Sequence, residues 1–206
     1  MNEVTQHRLE VIGTVLLAVA ALATSWASFQ ATLWSGDQME YANESMALRA
    51  KSTRASTRAG QLVAIDVGLF NSWMTEEFRG DSTLRRFLEQ HFRPEFRIAF
   101  DEWIASDPFH SKSAATTPFV LSSYHLSSSD SAYTYEVEAD STVTLSAYAN
   151  TTGDSYVLTA VILASVMFFA GTAQQMRGPR LRVFLLGLAS LACVGAVVRL
   201  FTLPRG

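Results

Sequence analysis

Three uncharged and mostly apolar stretches stand out from a chain whose other segments mix polar and apolar residues. They cover residues 11–29, 156–173 and 183–198. A helix needs about 20 apolar residues to cross the hydrocarbon core of a bilayer. The third stretch is shorter than this. Its predicted span is extended to residues 183–201, because the arginines at the ends of the stretch can extend toward the headgroups. The pattern therefore predicts three membrane-spanning helices, with aromatic anchors at Trp26, Trp34 and Tyr156.

These stretches have two other interpretations. They could be buried helices of a soluble protein, but so short a chain leaves little to cover three of them. The first stretch could also be a signal peptide cleaved after Ala23. Against cleavage, Glu3 and Glu10 accompany Arg8 in its N-terminal region, and the uncharged run continues to Phe29. Membrane spans are the favoured interpretation.

The orientation is predicted from the link between the second and third spans. This link, residues 174–182, contains Arg177, Arg180 and Arg182 and no acidic residue. Short loops rich in Lys and Arg stay in the cytoplasm. Residues 1–10 are then predicted to be cytoplasmic as well.

The long segment between the first two spans, residues 30–155, is predicted to lie outside the cytoplasm, together with the tail, residues 202–206. It carries ten Lys or Arg and seventeen Asp or Glu, a net charge of −7. One cluster of basic residues, which begins about twenty residues after the first span, is a signal against this orientation. The cluster consists of Arg49, Lys51, Arg54 and Arg58.

A long helix is predicted to continue from the first span as a stalk. No proline occurs before Pro94, and two neighbouring rows of apolar or small residues follow the seven-residue spacing of helices packed side by side. Gly60, Gly68 and Gly80 are the expected interruptions, since glycine costs about 1 kcal/mol in a helix interior. The first row comprises Ala27, Trp34, Tyr41, Leu48, Ala55, Leu62 and Leu69, and the second comprises Ala31, Ser45, Ser52 and Ala59.

The rest of the outer segment has weaker helical signals. Asp81 is a candidate N-cap for a helix over residues 82–91, and a proline precedes another over residues 95–106. Residues 107–130 are Ser-rich and predict a loop. Residues 131–152 are predicted to be helical, although their β-branched residues favour a strand by propensity. The apolar faces proposed are Phe96, Phe100, Trp103 and Ile104 in the earlier helix, and Tyr133, Val137, Leu145 and Tyr148 in the later one.

The predicted fold is an all-α integral membrane protein, with a helical extracytoplasmic domain inserted between the first and second of three transmembrane helices. The formal net charge of −3 disfavours nucleic acid as a partner. The single cysteine, Cys193, excludes an intramolecular disulfide. The histidines lack the spacing of helical metal pairs, although His110 and His125 share a loop. No cofactor and no metal is expected.

Polar residues around the first span are the first candidate site. Asp37, Glu40 and Glu44 share one helical face beyond the span; in an oligomer they could ring a pore mouth, although such charges more often only face water. Thr24, Ser25 and Ser28, with Gln30 at the membrane edge, are candidates for close helix packing or for lining a pore. No charged residue lies at mid-depth in any span, which argues against ion-coupled transport.

Asp66 is the second candidate, because it lies inside the apolar run LVAIDVGLF. A buried carboxylate needs a partner, and Arg93 and Arg97 are the basic candidates. A structural ion pair is favoured over catalysis, since no nucleophile or base accompanies the acid.

Three short signatures and the run STRASTRAGQLVAIDVGLFNSW (residues 52–73) carry a resemblance to a known family. A Trp-x-x-Tyr/Phe-Gln-Ala-x-x-Trp pattern closes the first span, an Arg-Pro-Glu-Phe-Arg turn follows at residues 93–97, and an Asp-x-Tyr-Val-Leu start opens the second span at residues 154–158. In these features the chain resembles an uncharacterised family of small bacterial, mainly actinobacterial-type, three-span membrane proteins. The resemblance implies a location in a bacterial inner membrane. It assigns no activity to the chain. The first pattern is matched by Trp26, Phe29, Gln30, Ala31 and Trp34.

The function predicted from these features is that of a non-enzymatic integral membrane protein. Its heptad rows favour self-association as an oligomeric pore or scaffold, with the bilayer and further copies of the chain as partners. The alternative is an accessory or sensor subunit whose outer domain binds a partner protein or a ligand.

Overall fold

The computed structural model describes residues 3–176 and 178–205, and the described residues form helices and no strand. Arg177, part of the predicted cytoplasmic link, lies outside this range. Helices α1, α4 and α5 are long and apolar enough to cross a membrane, which confirms the all-helical class and the three candidate spans. The α-helices are α1 (Glu3–Arg79), α2 (Ser82–Gln90), α3 (Pro94–Ala105), α4 (Ser127–Gln175) and α5 (Pro179–Thr202), with a 3₁₀ turn at Pro118–Val120.

The helices build two compact units. The first unit contains the chain up to Glu44 and from Ser141 onward, and the second contains Ser45–Asp140. Helices α1 and α4 each contribute to both. The second unit is shorter than the outer segment of residues 30–155 predicted from the hydrophobic pattern.

The first unit has a core of small and branched apolar side chains from α1, α4 and α5. Its outward faces are apolar too: Leu22, Leu191 and Phe201 are 75%, 74% and 73% exposed. Helices that are apolar all round suit a lipid environment, so three such helices are consistent with a multi-pass membrane protein. The core consists of Ala20, Leu163, Val166, Ala170, Ala189, Cys193 and Ala196.

Both predicted heptad rows of α1 are buried or half-buried, and α4 of the same chain packs against them. In the first unit, the Ser146 hydroxyl donates to the Gln38 carbonyl at 3.1 Å. In the second, the Ser52 hydroxyl donates to the Ala132 carbonyl at 2.9 Å. The side-by-side packing that the rows predicted is therefore found, but within one chain.

Helix α4 confirms the helical prediction for residues 131–152 and corrects its buried face. Tyr133, Val137, Leu145 and Tyr148 are all exposed, and most of the inward positions are occupied by smaller residues. Tyr148 still contacts the edge of Trp34, with 5.8 Å between ring centroids. The inward positions follow a regular alternation of three and four residues, at Ala132, Tyr135, Ala139, Thr142, Ser146, Ala149, Gly153 and Tyr156.

Glycine has the predicted effect on α1 at only one of three positions. The helix continues through Gly60 and Gly68, which lie on its exposed side, where a Cβ would meet nothing within 4 Å. Packing on the opposite side outweighs their propensity cost. Gly80 follows the helix with φ +81°, a conformation that glycine adopts without strain.

Short helices in the second unit begin where the sequence places their caps. Asp81 accepts hydrogen bonds from the N–H groups of Thr83 and Leu84, both at 3.0 Å, and Pro94 is the first residue of α3. Ile104 of α3 is exposed rather than buried. Helix α4 begins at Ser127, so the loop is shorter than the predicted residues 107–130.

The core of the second unit is an aromatic cluster. Phe96, wholly buried, stacks on Phe119 with 5.1 Å between ring centroids and meets Phe92 edge to face at 4.9 Å. The Trp103 indole N–H donates to the Ala115 carbonyl at 2.7 Å, which fixes the loop over the cluster. The aromatic cluster comprises Phe70, Trp73, Phe92, Phe96, Phe100 and Trp103, flanked by Phe119 and Tyr124.

Candidate functional site

Asp66 is fully buried on α1 and joins three distant segments of the second unit. Its Oδ2 atom accepts hydrogen bonds from Arg93 Nη1 at 3.1 Å and from the Tyr124 hydroxyl at 2.9 Å. Arg93 Nη2 also contacts Glu95 Oε2 at 2.8 Å. The group ties α1 to the start of α3 and to the loop before α4.

Burial raises the pKa of Asp66 above its ordinary value, because the carboxylate loses its hydration. The Tyr124 hydrogen bond and the Arg93 charge lower the pKa of Asp66 but do not cancel the effect of burial. Burial and the contact with Asp66 also raise the pKa of the Tyr124 hydroxyl. Within the described chain, Asp66 Oδ1 is buried with no hydrogen-bond partner, so this carboxylate is incompletely compensated.

Arg97, the other predicted partner of Asp66, is placed elsewhere. Its Nε atom contacts both carboxylate oxygens of Asp101, at 2.9 and 3.1 Å, and its Nη1 donates to the Glu89 carbonyl at 2.9 Å. Arg97 and Asp101 are one helical turn apart on α3, where a local pair forms readily. Among the described basic residues, Arg93 alone forms an ion pair with Asp66.

A cleft of about 570 Å³ lies between α1 and the start of α4 in the second unit. Four cationic side chains and one carboxylate line it, beside three serines of the first turns of α4. We call it the cationic cleft. Its lining residues are Lys51, Arg54, Ala55, Arg58, Leu62, Arg93, Glu95, Ser127, Ser128, Ser131 and Tyr135.

Three cations of the cationic cleft lack an acidic partner. Within the described residues, no carboxylate lies within 4.0 Å of the charged groups of Lys51, Arg54 or Arg58. Arg93 is held by Asp66 and Glu95. The unpaired charges are thus concentrated on one face of α1.

Ser128 adds an unpaired hydrogen-bonding group to this cleft. Its Oγ atom is buried without a partner among the described residues. Among the first N–H groups of α4, those of Ser129 and Asp130 donate to the Leu126 carbonyl at 2.9 and 3.4 Å, which leaves those of Ser127 and Ser128 without an acceptor in the helix. Asp130, the acidic residue of that turn, contacts His125 and does not line the cleft. The start of α4 therefore presents donors beside the cations of α1.

In the sequence, the cluster of basic residues from Arg49 to Arg58 serves only as a signal against the predicted orientation. Positions 51, 54 and 58 are spaced i, i+3 and i+7, which places them on one face of a helix. That spacing could have indicated a site. The contribution of Ser127 and Ser128 could not be read from it, because they are about seventy residues away in the chain.

The acids considered for a pore mouth lie in the first unit. Glu40 and Glu44 are exposed, and Asp37 is half-buried. Their role at a pore mouth stays a prediction.

The polar residues of the first span differ in what they face. Thr24 donates to the Ala20 carbonyl at 2.7 Å and Ser25 to the Ala21 carbonyl at 3.0 Å. Ser28 is exposed, and Gln30 is buried. Hydroxyls satisfied within one helix do not require a water path.

Two of the three aromatic anchors keep some exposure. Trp26 is 46% exposed, and Trp34 is half-buried. Tyr156, by contrast, is fully buried, and its hydroxyl donates to the Pro204 carbonyl at 2.9 Å. It joins the tail after α5 to α4, and its role as a membrane-interface anchor stays a prediction.

Histidines of the loop contact separate aspartates: His110 meets Asp107 at 2.8 Å, and His125 meets Asp130. Across the described residues, no group of three or more His, Cys, Asp or Glu side chains is placed to hold a metal ion.

Three apolar helices and a separate unit with a cationic cleft define the architecture as that of a helical protein able to span a membrane several times. No protein-family model, curated protein or solved structure matches the chain. The resemblance to small bacterial three-span proteins stays a prediction.

Proposed function

We propose that this chain is an accessory or sensor subunit of a bacterial inner membrane, without enzymatic activity, whose second unit binds an anionic ligand outside the cytoplasm. The cationic cleft is the observation that carries the proposal. Exposed cations that lack acidic partners in a concave site attract anions and strengthen one another's field. The segment outside the spans is acidic overall, so this concentration of positive charge is local.

The proposed orientation rests on the arginines near the start of α5. Arg180 and Arg182 lie at this end, and Arg8 lies before the first apolar stretch. Basic residues next to spans favour the cytoplasmic side. One proposed span separates each of these arginine groups from the second unit along the chain. We therefore propose that the second unit lies on the side of the membrane opposite the cytoplasm.

The proposal is tested by adding anions to the full chain in nanodiscs of neutral lipid. Pyrophosphate and citrate, each compared with chloride at equal ionic strength, are expected to raise the thermal unfolding midpoint of the second unit. A ligand at about 100 times its Kd adds about 2.7 kcal/mol to folding stability. Trp73 and Trp103 fluorescence reports this unit.

The double variant Arg54→Gln/Arg58→Gln is expected to lose the shift. Arg86→Gln is the matched control, because Arg86 is exposed on α2 and does not line the cationic cleft. The proposal is wrong if neither anion stabilises the wild type, or if the double variant responds as the wild type does.

Self-association as a membrane scaffold is a second candidate. The heptad rows no longer support it, because α4 of the same chain covers them. A separate groove of about 430 Å³ on the first unit supports self-association, because small residues on both of its walls would let another helix approach closely. The groove is lined by Ser28, Ala31, Thr32, Val157, Ala160, Val161 and Ala164.

Filling this groove is expected to separate the copies. Ala164 is exposed there, so Ala164→Leu adds bulk in the groove without entering the core of the unit. Mass measurement across a concentration series in detergent is expected to show a wild-type dimer and a monomeric variant. Val194→Leu, on the exposed side of α5, is the control, and a wild type that is monomeric throughout contradicts this candidate.

A further inference from the structure

We infer that the ligand of the cationic cleft is an organic phosphate, held through its phosphate group by Arg54, Arg58 and the start of α4. The inference rests on the proposed function and narrows its ligand from anions in general to one class. Charge, donor geometry and the size of the cleft each contribute to it.

The charge of the cleft matches a dianion better than a monoanion. Among the described residues, Lys51, Arg54 and Arg58 have no acidic partner, whereas the Glu95 carboxylate beside them is already bound to Arg93. A hydrogen bond from a backbone N–H, together with Arg93, lowers the pKa of Glu95, so this acid stays ionised and one cation remains assigned to it. Phosphate monoesters carry about −1.5 to −2 charges at neutral pH. A carboxylate carries one.

The register of the two helices locates the phosphate. Arg49 Nη2 contacts Asp140 Oδ1 at 3.0 Å, and Ser52 contacts the Ala132 carbonyl, so α4 runs antiparallel to α1. Moving along α1 from Lys51 to Arg58 therefore approaches the start of α4. Arg58 lies at the end where Ser127 and Ser128 begin that helix.

Donors of different kinds converge at that end. Arginine offers a planar fork of N–H groups that matches phosphate oxygens, and the free N–H groups of a helix start, with the helix dipole, favour a phosphate group. The buried Oγ of Ser128 is a hydroxyl still without a partner. Three non-coplanar phosphate oxygens can use donors from α1 and α4 together, which a planar carboxylate cannot do equally well.

The other end of the cleft suits an uncharged organic group. Tyr135 lies there, with the Lys51 ammonium 5.7 Å from its ring centroid, and Ala55 adds an apolar surface between the ends. A space of about 570 Å³ is much larger than inorganic phosphate requires. A flat organic group attached to the phosphate would therefore contact Tyr135.

The experiment compares four small probes by calorimetry with the full chain in neutral-lipid nanodiscs at pH 8 and fixed ionic strength. The probes are phenyl phosphate, inorganic phosphate, benzenesulfonate and benzoate. Phenyl phosphate is expected to bind most tightly. Benzenesulfonate has the tetrahedral shape of a phosphate group but a single charge. Benzenesulfonate and benzoate are each expected to bind about tenfold or more weakly than phenyl phosphate, because each loses one charge-assisted contact.

Variants assign the binding to the two ends of the cleft. Arg54→Gln and Arg58→Gln are each expected to weaken both phosphates about tenfold, whereas Arg86→Gln leaves them unchanged. Tyr135→Ala is expected to remove the advantage of phenyl phosphate over inorganic phosphate without changing the binding of inorganic phosphate itself.

The outcomes separate this inference from the broader proposal. If benzoate binds as tightly as phenyl phosphate and the arginine variants weaken both, the phosphate assignment is overturned while anion binding stands. If no probe binds, both fail. Repeating the titration in nanodiscs that contain phosphatidic acid, a lipid with a phosphate monoester headgroup, identifies the source of the phosphate: competition by this lipid indicates a lipid headgroup, and unchanged binding indicates a soluble ligand.

Discussion

Replacing Phe96 by alanine is expected to lower the free energy of unfolding of the second unit by about 3–5 kcal/mol, the usual cost of emptying a buried aromatic position. Phe96 is wholly buried and lies against five other aromatic rings. Because folded proteins are only marginally stable, this loss is a large fraction of the total free energy of unfolding expected for a unit of this size. Urea unfolding followed by tryptophan fluorescence measures it, because Trp73 and Trp103 belong to the same cluster.

The matched control is Phe78→Ala. Phe78 is the same residue type but is 75% exposed near the end of α1, and its ring touches only that of Phe109 among the described aromatic pairs. Its replacement is expected to change stability by about 0.5 kcal/mol or less. Equal unfolding midpoints for the two variants would contradict the aromatic cluster as the core of this unit.

Elements that depend on local sequence could be predicted. The side-chain oxygen of Asp81 accepts from N–H groups two and three residues later, so the cap is contained in a few residues. The same holds for Pro94 at the start of α3 and for the seven-residue rows of α1. These features need no knowledge of what packs against them.

The buried face of α4 could not be predicted in the same way. Tyr133 and Val137 keep a rough helical spacing, and a stripe of large apolar side chains is the usual sign of a buried face. In this helix most inward positions carry Ala, Ser, Thr or Gly, with Tyr135 and Tyr156 as large exceptions, since α1 approaches closely; a Cβ on Gly153 would lie 3.5 Å from the Cβ of Trp34. Close packing against α1 therefore selects small residues at most of the buried positions.

Long-range pairing limited the prediction of the candidate sites. Arg93 and Arg97 are equally plausible partners for Asp66 by sequence, and only the packing of α3 turns Arg93 toward α1 while Arg97 meets Asp101 on its own helix. The cationic cleft depends on the same kind of information, because its α4 serines are brought to α1 by the chain reversal between them.

Replacing Asp66 is expected to separate the role of its charge from the role of its hydrogen bonds. Asp66→Ala leaves the Tyr124 hydroxyl and Arg93 Nη1 without their acceptor, at a cost of about 3 kcal/mol in stability. Asp66→Asn retains an oxygen acceptor and removes the buried charge, so its cost is expected to be about 1 kcal/mol or less. Urea unfolding of both variants at neutral pH provides the measurement.

The pH dependence of stability supplies the sharper test. The folded-state pKa of Asp66 is raised above its ordinary value of 3.8, so the folded protein holds the proton more tightly than the unfolded chain. In the wild type, the favourable contribution of Asp66 to the free energy of unfolding is present at pH values below 3.8. It is lost as the pH rises through the higher folded-state pKa. Stability relative to Asp66→Asn is therefore expected to fall as the pH rises through this window.

Arg93 and Tyr124 oppose that trend, which makes its sign informative. If their contacts with Asp66 outweighed the loss of hydration, the carboxylate would be favoured in the folded state and the wild type would gain stability over Asp66→Asn with rising pH. Such a gain would show that the ion pair, and not burial, governs this group. A fall instead shows that the loss of hydration outweighs these contacts, so that the connection Asp66 makes between α1, α3 and the loop before α4 has an electrostatic cost.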